Sequence, residues 1–364
     1  MTPPHRKYVV SFKWIYKIKT RFDGSIERYK TRLFAKGFTQ EYGIDYKETF
    51  APIACISSVR ALLAVVVASK WDLFQIDVKS AFINGDLSKE VYMQAPPDLS
   101  VESNKVCHLQ CALYGLKQTP QAWFAKFSST ISHLGYMANH YDSALFLRRT
   151  DKGTILLLLY VDDMIITGND LSGIQELKNF LSQQFEMKDL GHLNYFLGLE
   201  ITHSTDGIYI TQAKYAFELL SRVGLTDNKT VDTPVKFNVH LTPSGGKPLS
   251  NPSLYRRLVN SLVYLTVTCL DIFYADHQVS QYLSAPRSTH YAAVLRILRY
   301  LKGTLFHDLF YSAQSPLILR AFSDANWAED LTDRKSTTGY CFLFGSSLIS
   351  WQSNKQSHMT HSST

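Results

Sequence analysis

Residues 155–167 read Ile-Leu-Leu-Leu-Leu-Tyr-Val-Asp-Asp-Met-Ile-Ile-Thr, an apolar run broken once, by Asp162 and Asp163. Burying two adjacent carboxylates in such a run without a partner is strongly unfavourable. The placement that avoids this cost is the tip of a β-hairpin with both arms in a sheet, since Asp tolerates turn geometry. Such a tip carries a double negative charge, and hard divalent cations take carboxylate oxygens. A plain acidic turn reads the same way, so the pair has to be weighed against the rest of the chain.

The chain has 364 residues and is 45% hydrophobic, enough for a sizeable core in two or three domains. Helical and strand-like stretches interleave, which predicts a mixed α/β or α+β protein. The net charge of +7 permits a polyanionic partner without demanding one. The 21 Tyr and 21 Phe suit base stacking, and they equally suit an ordinary core. Five cysteines (55, 107, 111, 269 and 341) form no paired framework. Cys107 and Cys111 bracket His108, but no second cluster at zinc spacing follows, and His358 and His361 read as surface residues. This cysteine usage fits a reducing, intracellular compartment, with cytoplasm and nucleus both open. No run is long and apolar enough to span a membrane, so no membrane partner is expected. Residues 1–7 carry no apolar signal region and open without a cap, which suggests a start inside a larger polypeptide.

Strands are predicted over 8–18 and 26–35, turning at Asp23-Gly24. At period two, Arg28, Lys30, Arg32, Phe34 and Lys36 fall on one face of the second. Such a row could grip a triphosphate or a nucleic-acid backbone, and it equally fits a solvated face or a charge-protected edge. Ser57 or Ser58 caps a helix to about Lys70, whose apolar middle must be buried. A short strand over 71–78 carries Asp77 at its end, where an Asp serves a ligand or caps a helix. Short strands follow at 91–93 and 106–109, then a helix from Thr119-Pro120 to Leu134, stopped by Gly135. Asp170 caps a helix over 171–185, which Lys188-Asp189-Leu190-Gly191 ends. Strands over 194–201 and 207–211 and a helix over 212–223 come next. Periodicity fades over 232–252, which reads as a linker. Helices over 254–270, 271–283 and 290–301 and strands over 317–323 and 339–351 complete the chain.

Three acids stand out: Asp77 at a strand end, and Asp162 and Asp163 at the hairpin tip. If neighbouring strands bring them together, three carboxylates can hold two Mg2+ ions about 3.5–4 Å apart, an arrangement used for in-line phosphoryl displacement.

Five stretches in order carry a resemblance. They are Arg-Tyr-Lys-Thr-Arg-Leu-Phe-Ala-Lys-Gly-Phe-Thr-Gln at 28–40, Gln-Ile-Asp-Val-Lys-Ser-Ala-Phe-Ile-Asn-Gly-Asp-Leu at 75–87, and Leu-Tyr-Gly-Leu-Lys-Gln at 113–118. Tyr-Val-Asp-Asp at 160–163 and Tyr-Phe-Leu-Gly-Leu-Glu at 195–200 complete the set. In sequence and spacing the chain resembles the reverse transcriptase of copia-type LTR retrotransposons. The resemblance implies an α+β, right-hand polymerase fold: palm and fingers with an antiparallel palm sheet over 1–231, a linker over 232–252, a helical thumb or connection over 253–315, and part of an RNase H-like α/β domain over 316–364. It implies an RNA-directed DNA polymerase taking an RNA or DNA template-primer and deoxynucleoside triphosphates, with Asp77, Asp162 and Asp163 holding two Mg2+, or Mn2+ in their place. It places Lys30, Arg32 and Lys36 on the triphosphate, Phe82 as a steric gate against a ribose 2′-hydroxyl, Gln118 near the nascent base pair, and Lys188 as a proton donor to pyrophosphate.

Gln121 stands where the family has Arg, Ala95 and Asp98 alter the Pro-rich loop, and Cys269 replaces an Arg before Asp271. None of these removes a metal carboxylate. Residues 322–328 resemble the first RNase H strand, with Asp324 at its catalytic Asp. RNase H chemistry needs several carboxylates, and the Glu-bearing helix that follows in the family lies past Thr364, so no RNase H activity is expected of this chain. The alternative to a polymerase is a catalytically inactive, truncated element product that only binds nucleic acid.

Overall fold

The structure is a computed structural model that describes residues 8–21, 24–96, 105–225, 229–237, 239–327 and 333–358. Asp23 of the first predicted turn, Asp98 and His361 lie outside these residues. Among them the strands are β1 (Val9–Val10), β2 (Phe12–Thr20), β3 (Ile26–Ala35), β4 (Asp72–Val78), β5 (Asp86–Gln94), β6 (Val106–Cys111), β7 (Met137–Ala138), β8 (Leu145–Arg149), β9 (Thr154–Tyr160), β10 (Asp163–Gly168), β11 (Met187–His192), β12 (Tyr195–Phe196), β13 (Leu199–Ser204), β14 (Gly207–Thr211), β15 (Leu309–Ser312), β16 (Leu319–Ala325), β17 (Thr337–Phe344) and β18 (Ser347–Lys355). The α-helices are α1 (Ile56–Ser69), α2 (Thr119–Ser132), α3 (Leu171–Gln184), α4 (Ala213–Val223), α5 (Pro252–Leu265), α6 (Phe273–Ser280) and α7 (Ser288–Gly303). Helices and mainly antiparallel sheets thus mix, with β1 parallel to β5, as the α+β reading expected.

The chain forms two compact units, residues 1–55 with 72–192, and residues 56–71 with 193–364. In the first, a six-stranded sheet runs β11-β4-β10-β9-β8-β7. The apolar run of residues 155–167 supplies its two central strands because both of its faces are covered: Ile155, Leu157, Leu158, Leu159, Met164, Ile165 and Ile166 are all buried. Helices α2 and α3 present Trp123, Phe127, Ile131, Ile174, Leu177 and Leu181 to one face of this core. Asp170 caps α3 as expected, accepting the Gly173 N–H at 2.9 Å. Segment 187–192, expected only as the end of a helix, is instead β11, paired antiparallel with β4. Its side chains are mostly exposed, so it shows no apolar alternation.

A separate two-stranded ribbon, β2-β3, and a three-stranded sheet, β1-β5-β6, complete the first unit. The loop 113–118 approaches the end of β3 closely: a Cβ on Gly115 (φ +93°) would fall 2.2 Å from the Ala35 carbonyl oxygen, and Gly is the residue that fits there.

In the second unit α4, α5, α6 and α7 share a core built on Tyr255, Leu258, Leu262, Val294 and Leu298. Its two sheets are β12-β13-β14-β15 and β16-β17-β18. Helix α1 packs on β18, β15 and β14. Arg60 is buried there, donating to the Val267 and Ile349 carbonyls and lying 3.7 Å from the Trp351 ring centre. No described helix is long and apolar enough to cross a membrane.

Candidate active site

The hairpin β9-β10 turns one residue earlier than the doublet suggested. Tyr160 pairs with Asp163, so Val161 and Asp162 form the turn and Asp163 opens the returning strand. The shift has a consequence: Asp163 falls directly opposite Asp77 in the β4-β10 register. Directly opposed residues in an antiparallel pair have Cα atoms about 4.5–5.5 Å apart and side chains on the same face. On the other side of β4, Lys188 pairs with Asp77. One row across the sheet therefore reads Lys188, Asp77, Asp163.

The turn is strained and held. Val161 has φ +58°, a left-handed conformation uncommon for any non-Gly residue and an outlier for a β-branched one. The Trp123 indole donates to the Val161 carbonyl at 2.7 Å, and the Val78 N–H donates to the Asp162 carbonyl at 2.8 Å. Asp162 is exposed, whereas Asp77 and Asp163 are half-buried. The Gln75 amide lies 3.4 Å from an Asp163 carboxylate oxygen.

Burial, and next the Asp162 charge, push the Asp77 carboxyl above its usual range, while Lys188, Lys30 and Lys79 pull it down. Burial, then Asp162 and Asp77, raise Asp163, opposed by the Gln75 hydrogen bond. The three acids share one excess of negative charge. Among the described residues no three His, Cys, Asp or Glu side chains stand close enough together to hold an ion as placed. The fit is one of chemistry, three carboxylates with hard oxygen donors.

The predicted cationic face exists on β3. Burial and the neighbouring Arg32, Arg28 and Lys19 charges lower the Lys30 ammonium, and Asp162 acts on it in the opposite direction. Lys30 thus feels the hairpin tip. Arg32 lies 5.0 Å from the centre of the Tyr114 ring, which also meets Phe34 and Phe82 at 5.5 Å each. Phe82 sits in a 3-10 turn over Ala81–Asn84, entered through Ser80 at φ +54°. Lys36 follows β3 at the mouth of another 3-10 turn, past the strand alternation. The Gln118 side-chain Oε1 accepts from the Gln40 amide at 3.1 Å, and the Gln40 Oε1 accepts from the Lys117 N–H at 2.8 Å. Asp324 lies elsewhere, on β16 of the second unit, paired with Gly339. A cavity of about 740 Å3 in that unit is lined by none of the site residues named so far.

Sequence reasoning missed Trp123, Gln75 and Tyr114, whose roles depend on tertiary neighbours. It also missed the lysines of β2, which reach the β3 face only through the ribbon register.

A family model described as reverse transcriptase (RNA-dependent DNA polymerase) matches residues 1–237. The chain is 41% identical over its full length to the retrovirus-related Pol polyprotein from transposon RE1 of Arabidopsis thaliana, of which it covers 25%. It is 38% identical, over 99% of its length, to the Pol polyprotein from transposon TNT 1-94 of Nicotiana tabacum, covering 28%. It is 30% identical over 77% of its length to a transposon Ty5-1 protein of Saccharomyces cerevisiae, covering 92%. The chain thus spans about a quarter of the two plant polyproteins. With that match over well more than half its length, the chain belongs to the reverse transcriptase family.

Proposed function

We propose that this chain is the RNA-directed DNA polymerase part of a copia-type retrotransposon Pol protein, taking an RNA or DNA template-primer and deoxynucleoside triphosphates. The observation that carries the reading is the register that sets Asp163 opposite Asp77 beside the exposed Asp162. Reverse transcriptases generally use divalent metal ions, and Asp77, Asp162 and Asp163 are the residues that would hold two Mg2+, or Mn2+ in their place. When bound, such ions lower the pKa of an attacking hydroxyl and neutralise phosphate charge. Lys30, Arg32 and Lys36 would bind the triphosphate. Phe82, against Tyr114, would exclude a ribose 2′-hydroxyl, and Gln118, fixed by Gln40, would face the nascent base pair. Lys188, opposite Asp77, would give a proton to the departing pyrophosphate.

The same proposal assigns fingers and palm to 1–231, a linker to 232–252, a helical thumb or connection to 253–315 and a partial RNase H-like domain to 316–364. For RNA cleavage Asp324 would need further carboxylates around its ions. The second reading is a product that binds nucleic acid without copying it, which the cationic face of β3 would serve equally well. Primer extension on poly-rA/oligo-dT separates the two. Wild type extends, and Asp162→Asn loses about a thousandfold, the scale of several kcal/mol of lost charge stabilisation. Salt-sensitive binding with equal incorporation by both proteins, or with none by either, removes the polymerase assignment.

A further inference from the structure

Segment 35–40 and the loop 113–118 meet backbone to backbone. The Ala35 N–H donates to the Tyr114 carbonyl at 2.8 Å, and a Cβ on Gly37 would fall 2.1 Å from the Gly115 carbonyl oxygen. At the far end of the loop the Thr119 hydroxyl donates to the Leu113 carbonyl at 2.7 Å. These contacts hold the loop without the Gln40 side chain, which lies buried in the junction at 7% exposure and adds two bonds of its own. Those two bonds have a direction. A backbone N–H can only donate, and the Lys117 N–H meets Gln40 at Oε1, 2.8 Å away. That contact orients the Gln40 amide, whose Nε2 is left to donate, and it donates to Gln118 Oε1 at 3.1 Å. The second amide is oriented in turn: its oxygen is turned to Gln40, and Nε2 takes the other side. One hydrogen of that nitrogen reaches toward the Asp45 carbonyl at 3.5 Å, the outer limit of such a bond, and among the described residues the other meets no acceptor.

We propose that Gln40 is a positioning residue that sets the polarity of the Gln118 amide, so that Gln118 offers the incoming nucleotide an N–H and not a carbonyl oxygen. This deepens the polymerase reading and rests on it, since it takes Gln118 to lie beside the nascent base pair. A donor is the useful polarity there. All four nucleotides carry acceptors in common, a minor-groove purine N3 or pyrimidine O2 and the deoxyribose 3′-oxygen, whereas a minor-groove donor belongs to guanine alone. An N–H held in place therefore serves every correct nucleotide. An oxygen held in its place would face the base acceptors of the other three unpaired, at the cost of a polar group without a partner.

The test is single-nucleotide incorporation by the full chain on a primed template, read as KM and kcat for each of the four deoxynucleoside triphosphates. Gln40→Glu still accepts from the Lys117 N–H but has no hydrogen to give Gln118, so the Gln118 amide turns its nitrogen inward and its oxygen outward. KM for each nucleotide rises about tenfold with kcat within about twofold, the scale of one hydrogen bond replaced by an unpaired acceptor. Gln40→Leu makes neither bond, leaves the Gln118 amide free to turn either way, and raises KM about threefold. A residue that merely attached the loop would give the reverse order, because the Glu variant keeps one of the two bonds. Both changes are repeated in a Gln118→Ala background, where they alter KM by less than about twofold if Gln40 acts through Gln118. A folding defect, or repulsion between the new carboxylate and the triphosphate, acts in both backgrounds. Two analogues identify the acceptor: 3-deaza-dATP lacks N3 and dideoxy-ATP lacks the 3′-hydroxyl, and the Gln40→Glu penalty disappears with one of them. The reverse order, a penalty that survives in the Gln118→Ala background, or one undiminished with both analogues overturns the proposal while the polymerase reading stands. A wild type that incorporates no nucleotide removes the polymerase reading and this inference with it.

Discussion

Two antiparallel sheets of this molecule each carry an aspartate that the family resemblance marks as catalytic, and they treat it differently. In the first unit β10 is buried from Met164 to Gly168, and its leading residue, Asp163, is paired with Asp77. In the second unit β16 is exposed along its whole length, and Asp324 is paired with Gly339. The Asp324 carboxylate accepts from the following N–H, of Ala325, at 2.8 Å, which is local backbone service. The Asp163 carboxylate is instead raised by burial and by two neighbouring acids. An acidic side chain becomes part of a charged site through what the register sets opposite it, and that information lies in the partner strand.

The largest effects should separate the two sheets outright. Asp77→Asn is expected to cut primer extension by about a thousandfold, while Asp324→Asn leaves extension unchanged. Equal losses in the two variants would erase the distinction. A smaller effect is expected at the support of the turn. Trp123→Phe keeps a ring in the core but removes the N–H that holds the Val161 carbonyl. Losing one buried hydrogen bond under a left-handed valine should move the tip slightly, and misplacement on that scale costs roughly 10–100-fold in turnover. Single-turnover extension checks it, with template-primer affinity unchanged.

How far the sequence foretold this site depends on which side chains are buried. The hairpin was legible because residues 155–167 form an apolar run interrupted only at its tip, and the Lys30 and Arg32 face followed from period two. The turn position was not legible. Asp is favoured in turns and Val is not, so local propensity put both acids at the tip, whereas pairing with β4 places Val161 there and brings Asp163 opposite Asp77. Strand β11 was missed because an edge strand with exposed polar side chains has no alternation to read. The apolar middle of α1 announced burial but not its partner, and only tertiary packing shows that β14, β15 and β18 cover it.

A third prediction uses the raised carboxyls. Folded Asp163 holds its proton more tightly than the unfolded chain does, so its charge weakens the folded state at neutral pH, and the loss is recovered as pH falls below the usual carboxylate range. Asp163→Asn should therefore raise the melting temperature at pH 7, with the gain shrinking as pH falls and gone below the usual carboxylate range. A gain that persists in acid would point to packing in place of charge.

The smallest effect comes from rebuilding the opposed pair where it does not exist. Gly339 does not have a positive φ, and a Cβ there would meet nothing nearer than the Gln352 carbonyl oxygen at 4.0 Å, so a side chain fits. Gly339→Asp sets a second carboxylate opposite Asp324, and Gly339→Asn sets its uncharged isostere there. Directly opposed like charges on a sheet cost up to about 1 kcal/mol, less when exposed. The Asp variant should melt about 1–2 °C below the Asn variant at low salt. The gap should close in about 1 M salt, where screening acts over about 3 Å, and also below about pH 4. If 10 mM Mg2+ closes the gap as well, two opposed carboxylates suffice to attract the ion, and the third acid and flanking lysines of the six-stranded sheet serve reactivity. If Mg2+ at that concentration leaves the gap open, attraction itself requires Asp162 beside the pair, and register is a necessary but insufficient condition for the site.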